Sequence, residues 1–147
     1  MDINDQLIDD CGNGYLYEVK SYVKRGADIH TANDLALRQA AEEGHLEIVK
    51  YLIEQGANIH ALGECALRWA AKNGHFGVVK YLVGQGADIH ALDDLALRWA
   101  KKGGYLEIVK YLKSCEKTKK TSKSESITDI VDIKEFKIKE FKVRKVN

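Results

Sequence analysis

A five-residue string returns every thirty residues along this chain: Gly26-Ala27-Asp28-Ile29-His30, Gly56-Ala57-Asn58-Ile59-His60 and Gly86-Ala87-Asp88-Ile89-His90. Ala36-Leu37-Arg38, Ala66-Leu67-Arg68 and Ala96-Leu97-Arg98 keep the same step, as do Val49-Lys50-Tyr51-Leu52, Val79-Lys80-Tyr81-Leu82 and Val109-Lys110-Tyr111-Leu112. Thirteen of the thirty columns are identical in all three copies. A period of this size marks supersecondary units that cannot bury an apolar face alone and must stack on copies of themselves. Three full units cover 26–55, 56–85 and 86–115. A shorter one occupies 1–25, where Gly14, Leu16, Val19 and Lys20 lie thirty before Gly44, Leu46, Val49 and Lys50.

Within each unit the apolar spacing is helical, so the fold class is all-α. Leu67, Ala70 and Ala71 fall at i, i+3 and i+4 on one face of a first helix. The small alanines allow close approach of a second helix, whose apolar face is Phe76, Val79, Leu82 and Val83. Asp34, Glu64 and Asp94 precede the first helices and are expected to cap them. Each acid also stands four residues before Arg38, Arg68 or Arg98, which predicts an i,i+4 ion pair. Asn73-Gly74 closes a first helix, and Gly56 and Gly86 follow second helices, where a left-handed cap is needed.

The ends of the stack turn polar. Lys101 stands in the column of Ala41 and Ala71, and Lys113 in that of Ile53 and Val83. Gln6, Asp9 and Asp10 do the same at the start. Terminal units need a polar outer face, so the stack is expected to end near residue 115. No apolar run reaches the roughly 18 residues of a membrane span, and the acidic N-terminus shows no secretory signal. Three cysteines at unrelated spacings do not form a disulfide framework. With a formal charge of +1, the composition fits an intracellular soluble domain without a global field for nucleic acid; a monomer is expected.

These residues resemble ankyrin repeats. The family's Gly-His-Leu-Glu-Val-Val-Lys-Tyr-Leu string appears as Gly44-His45-Leu46-Glu47-Ile48-Val49-Lys50-Tyr51-Leu52, and its Gly-Ala-Asp-Val-Asn-Ala as Gly86-Ala87-Asp88-Ile89-His90-Ala91. The resemblance implies a solenoid of stacked helix-turn-helix units that binds proteins. The family's unit is about 33 residues long, whereas these units lack three residues after Ala32, Leu62 and Leu92. The fingers between units should therefore be tight turns in place of β-hairpins. Thr-Pro-Leu-His is replaced by Leu35-Ala36-Leu37-Arg38 and its two counterparts, which accounts for a chain without proline. The task of locking the helix start then falls to the acid and its arginine. This short variety resembles ankyrin proteins of large DNA viruses.

Beyond the stack, 116–126 is rich in Lys, Ser and Thr and reads as a flexible linker. A basic amphipathic tail, 127–147, follows, with Ile133-Lys134-Glu135-Phe136-Lys137 repeated as Ile138-Lys139-Glu140-Phe141-Lys142. Residues 116–147 carry net +4 and residues 1–115 net −3. The tail is expected to dock on the acidic stack, to bind a partner or an anionic lipid or nucleic-acid surface, or to stay frayed.

Neither metal nor cofactor is expected. His30, His60 and His90 share one column and His45 and His75 another, but stacked helices lie about 8–10 Å apart, too far for one ion with bonds of about 2 Å. His45 and His75 are expected to hydrogen-bond in the inter-helix turn, as their ankyrin counterparts do. No phosphate loop or asymmetric set of catalytic side chains stands out from the repeat register, so the chain reads as non-catalytic, with no small-molecule substrate. Function should lie where the units differ. With Leu67, Ala70 and Ala71 buried, the outward strip is Gln39, Glu42 and Glu43, then Trp69, Lys72 and Asn73, then Trp99, Lys102 and Gly103. In ankyrin proteins the corresponding strip lines the concave groove beside the finger tips, here Asn33, Gly63 and Asp93. Trp69 and Trp99 are candidates for contact with a protein partner; alternatively they lie flat on each other and on the shortened fingers, covering the thin core.

Overall fold

A computed structural model describes the backbone of residues 1–124 and side chains through Lys117. Among the described residues there are eight helices and no strand. They alternate as an inner row, α1 (Ile3–Asn13), α3 (Thr31–Glu43), α5 (Ala61–Lys72) and α7 (Ala91–Gly103), and an outer row, α2 (Leu16–Lys24), α4 (Leu46–Glu54), α6 (Phe76–Gly84) and α8 (Leu106–Ser124). Inner helices α1, α3, α5 and α7 pack each on the next, outer helices α2, α4 and α6 likewise, and α1, α3 and α5 each on its own outer partner. This is the stacked helix-turn-helix solenoid that the period requires.

The core lies between the two rows. Leu7, Leu37 and Leu67 are fully buried, with Ala40, Ala41, Ala70, Ala71 and Ala100 beside them. Outer helices contribute Ile48, Val49 and Leu52, then Val78, Val79 and Leu82, then Ile108 and Leu112. Val78 is buried more deeply than Phe76 or Val83, which are half-buried. Phe76 meets Tyr111 edge-on at 5.7 Å between centroids. Cys11 takes an alanine column and is fully buried, and Cys65 is nearly so.

The compact stack runs Met1–Leu112, and a second unit begins at Lys113. In that second unit α8 continues to Ser124, through the first part of the segment expected as a linker. The rest of the linker and the tail 127–147 lie outside the described residues. No described helix is long and apolar enough to cross a membrane.

The fingers are tight turns, and of an uncommon kind. Ala32-Asn33-Asp34, Leu62-Gly63-Glu64 and Leu92-Asp93-Asp94 all sit in the left-handed helical region, with φ between 52° and 63°. Three successive residues there make one left-handed turn. Right-handed helix resumes at Leu35, Cys65 and Leu95. L-residues usually visit this region singly, at roughly 1–2 kcal/mol each. The middle positions Asn33, Gly63 and Asp93 are the residue types that tolerate it best. The remaining strain has to be offset by contacts.

Two sets of side-chain bonds supply them, and they replace the expected cap and ion pair. Arg38 Nε and Nη2 donate to the carbonyls of Asn33 (3.1 Å) and Ala32 (2.6 Å). Arg68 repeats this on Gly63 and Leu62, and Arg98 on Asp93 and Leu92. The arginines therefore clasp the left-handed turn and leave the acids to other partners. The residues at the N-caps of α3, α5 and α7 are His30, His60 and His90, and none makes a side-chain cap bond. Asp34 instead accepts from His30 Nδ1 at 3.0 Å and from the backbone N–H of Asn58, in the next unit, at 2.9 Å. Glu64 pairs with His60 and Asp94 with His90 in the same way. The reason is geometric: a left-handed residue cannot aim its side chain at the N–H groups of the helix that follows. At the first boundary Asn4, thirty before Asp34, does the corresponding job by accepting the N–H of Asp28 at 2.7 Å. At the third boundary the longer Glu64 leaves its Oε2 buried without a hydrogen-bond partner.

The other histidine column joins units as well. His45 Nε2 bonds the carbonyl of Gly12 at 2.9 Å, and His75 Nε2 that of Glu42 at 2.8 Å. Both histidines stand in the inter-helix turn as expected, but their acceptors belong to the preceding unit. The fit is close: a Cβ on Gly44, where φ is +82°, would lie 2.5 Å from His75 Nδ1.

Candidate concave groove

The residues of the outward strip stand on, or at the end of, the inner helices α3, α5 and α7. Trp69 and Trp99 are half-buried, Gln39 and Glu42 likewise, and Glu43, Lys72, Asn73 and Lys102 are exposed. Asn33 and Asp93 are exposed at the finger tips. Repetition of one helix orientation every thirty residues aligns these side chains, since inner helices pack on one another in register.

Each tryptophan lies against a cation from the unit before it. The Arg38 guanidinium sits 5.6 Å from the Trp69 ring centre, and that of Arg68 sits 5.7 Å from the Trp99 ring. Lys72 Nζ also lies over Trp99, at 5.3 Å. These are cation–π distances. The rings lie over the clasping arginines and are half-buried. Asn73 is tied down, since its Nδ2 donates to the Glu42 carbonyl at 3.0 Å, beside His75.

Two features of this face were missed in the sequence. The first is a cleft of about 700 Å³ between α1 and α3, lined by Ile8, Asp9, Gly12, Asn13, Leu35, Gln39 and Glu43. Asp9, Gly12 and Asn13 lie thirty before Gln39, Glu42 and Glu43, so the strip extends into the first unit. The thirty-residue register alone places them there. Asp9, expected as an end-face residue, thus belongs to the groove. The second is the apolar tip: Leu62 and Leu92 are more than half exposed. Leu92 Cδ1 lies 3.7 Å from where a Cβ on Gly63 would stand, so adjacent tips meet.

A row of stacked helix-turn-helix units repeating every thirty residues defines the class: a repeat solenoid. A family model for ankyrin repeats, in three copies, matches residues 7–93, and the chain belongs to the ankyrin-repeat family. No curated protein matches it. Ankyrin repeats are in general protein–protein interaction modules and typically non-catalytic.

Proposed function

We propose that this chain is a non-catalytic interaction module that binds a protein partner through the concave strip, with Trp69 and Trp99 as the anchors. The observation that carries this reading is the pair of half-open indoles on adjacent units, each stiffened by a cation from the unit before. A large ring already held in place loses little conformational freedom on binding, which is why such residues dominate interfaces. Gln39, Glu42, Glu43, Lys72 and Lys102, with Asn33 and Asp93 at the tips, surround the anchors and set which partner fits. Asn73 contributes by fixing the α3–α5 boundary.

The test is affinity capture from cell lysate with the wild-type chain and a Trp69→Ala/Trp99→Ala variant shown by circular dichroism to be folded. A protein held by wild type and released in the variant supports the reading. An anchor truncation should weaken binding by about 2 kcal/mol or more. Equal capture by both chains refutes it. A capture that persists in the variant but is abolished by truncation after Ser114 would transfer the activity to the tail.

A further inference from the structure

The groove is not uniform along its length. In the column Gly12, Glu42, Lys72, Lys102, the side chain goes from absent to acidic to basic as the stack proceeds. In the column Asp9, Gln39, Trp69, Trp99, it goes from acid to amide to indole. At the first end, Asp9 and Glu43 are exposed on the walls of the α1–α3 cleft, and no Lys or Arg lines it. The cleft exists because Gly12 puts no side chain where the other units have Glu42, Lys72 and Lys102. Ile8 and Leu35 give it apolar wall. An apolar wall with carboxylates at the rim suits a side chain with a hydrocarbon stem and a positive head. At the other end Lys72 and Lys102 are exposed, with Lys101 beside them.

We propose that the groove takes a linear protein segment with a fixed order of charge. A Lys or Arg enters the α1–α3 cleft between Asp9 and Glu43, an apolar or aromatic residue rests on Trp69 and Trp99, and an Asp or Glu meets Lys72 and Lys102. Lys72 on α5 and Lys102 on α7 lie roughly one and a half and two and a half inter-helix steps of about 10 Å from the cleft. An extended segment rising about 3.3 Å per residue reaches them in roughly five to eight residues, so the basic and acidic positions should stand that far apart. Reversing the order would place like charges together at both ends, which is a means of rejecting wrong partners. This inference rests on the interaction reading above and names the chemistry of the partner.

A displayed library of random linear peptides, selected on the full chain, tests it. Peptides enriched on wild type should carry a basic residue and, at the stated spacing, an acidic residue next to an apolar or aromatic one. Selection on Asp9→Lys/Glu43→Lys should remove the basic preference, and selection on Lys72→Glu/Lys102→Glu the acidic one. For a wild-type peptide, each reversed charge should weaken binding about two- to fivefold, the scale of an exposed ion pair, and added salt should shrink that difference. Enriched peptides that bind wild type, fail on Trp69→Ala/Trp99→Ala and show no charge order would overturn this inference while leaving the groove reading in place. Absence of enrichment would overturn this inference, with the lysate capture above deciding the groove reading; enrichment indifferent to the tryptophans would overturn both.

Discussion

Replacing Arg38, Arg68 and Arg98 one at a time with methionine asks what holds the left-handed fingers. Methionine keeps the hydrocarbon stem and removes the guanidinium. All three arginines donate two bonds to the same pair of turn carbonyls, at distances between 2.6 and 3.1 Å. They differ in cover. Arg38 is 8% exposed beneath Trp69, Arg68 is half-buried beneath Trp99, and Arg98 is exposed with no ring over it. A bond from a charged donor contributes roughly 1.5–3 kcal/mol where water cannot replace it, and a cation–π contact adds about 0.5–1 kcal/mol. Arg38→Met should therefore cost about 3 kcal/mol, Arg68→Met about 2 kcal/mol, and Arg98→Met at most about 1 kcal/mol, because water takes over exposed carbonyls. Urea unfolding followed by far-ultraviolet circular dichroism reads the series without relying on tryptophan emission. A double-mutant cycle of Arg38→Met with Trp69→Leu should show coupling of about 0.5–1 kcal/mol, and Arg98→Met with Trp69→Leu none. Equal losses at the three sites, or the largest at Arg98, would refute the role assigned to the tryptophan cover.

Glu64→Asp restores the residue type of Asp34 and Asp94 and removes the orphaned Oε2; it should raise stability by about 1 kcal/mol, and a lowered unfolding midpoint would contradict the reading of this boundary. Gly44→Ala forces a side chain into a left-handed position and against the His75 ring, so a loss above about 1 kcal/mol is expected, and a neutral result would show that the ring moves freely. The Cys11 thiol is pushed from 9.0 up to about 12, mainly by burial and further by the Asp10 charge. Between those values the unfolded chain releases the proton and the folded chain keeps it, so this contribution is complete below pH 9 and is lost as pH rises. Wild type should lose stability more steeply than Cys11→Ala by about 1 kcal/mol per pH unit in that window, and parallel slopes would place the thiol in water.

How far the sequence reaches is visible at particular residues. The thirty-residue step, the alanines at 40, 41, 70 and 71, and the glycines after each helix determine a stack of helix pairs. No other arrangement buries those faces, and a repeated register needs no long-range information. The three residues missing after Ala32, Leu62 and Leu92 already pointed to tight fingers. The strip of Trp69, Trp99 and their neighbours followed from the same helical phase. What each arginine and acid binds was not legible. An i,i+4 ion pair presumes a right-handed helix through both residues, and the acid here sits in the left-handed turn.

Only the tertiary structure decided that the three arginines clasp backbone carbonyls, and that two of them lie beneath tryptophans of the next unit. It alone showed the acids reaching histidines and a neighbouring N–H, and the cleft beside Gly12. Sequence periodicity states which positions share a face. Contacts between units depend on the offset between stacked copies, which is set by how the small core side chains let the helices approach. That offset is a property of the packed solenoid, and within it the same residue in the same column meets different neighbours at the middle and at the end.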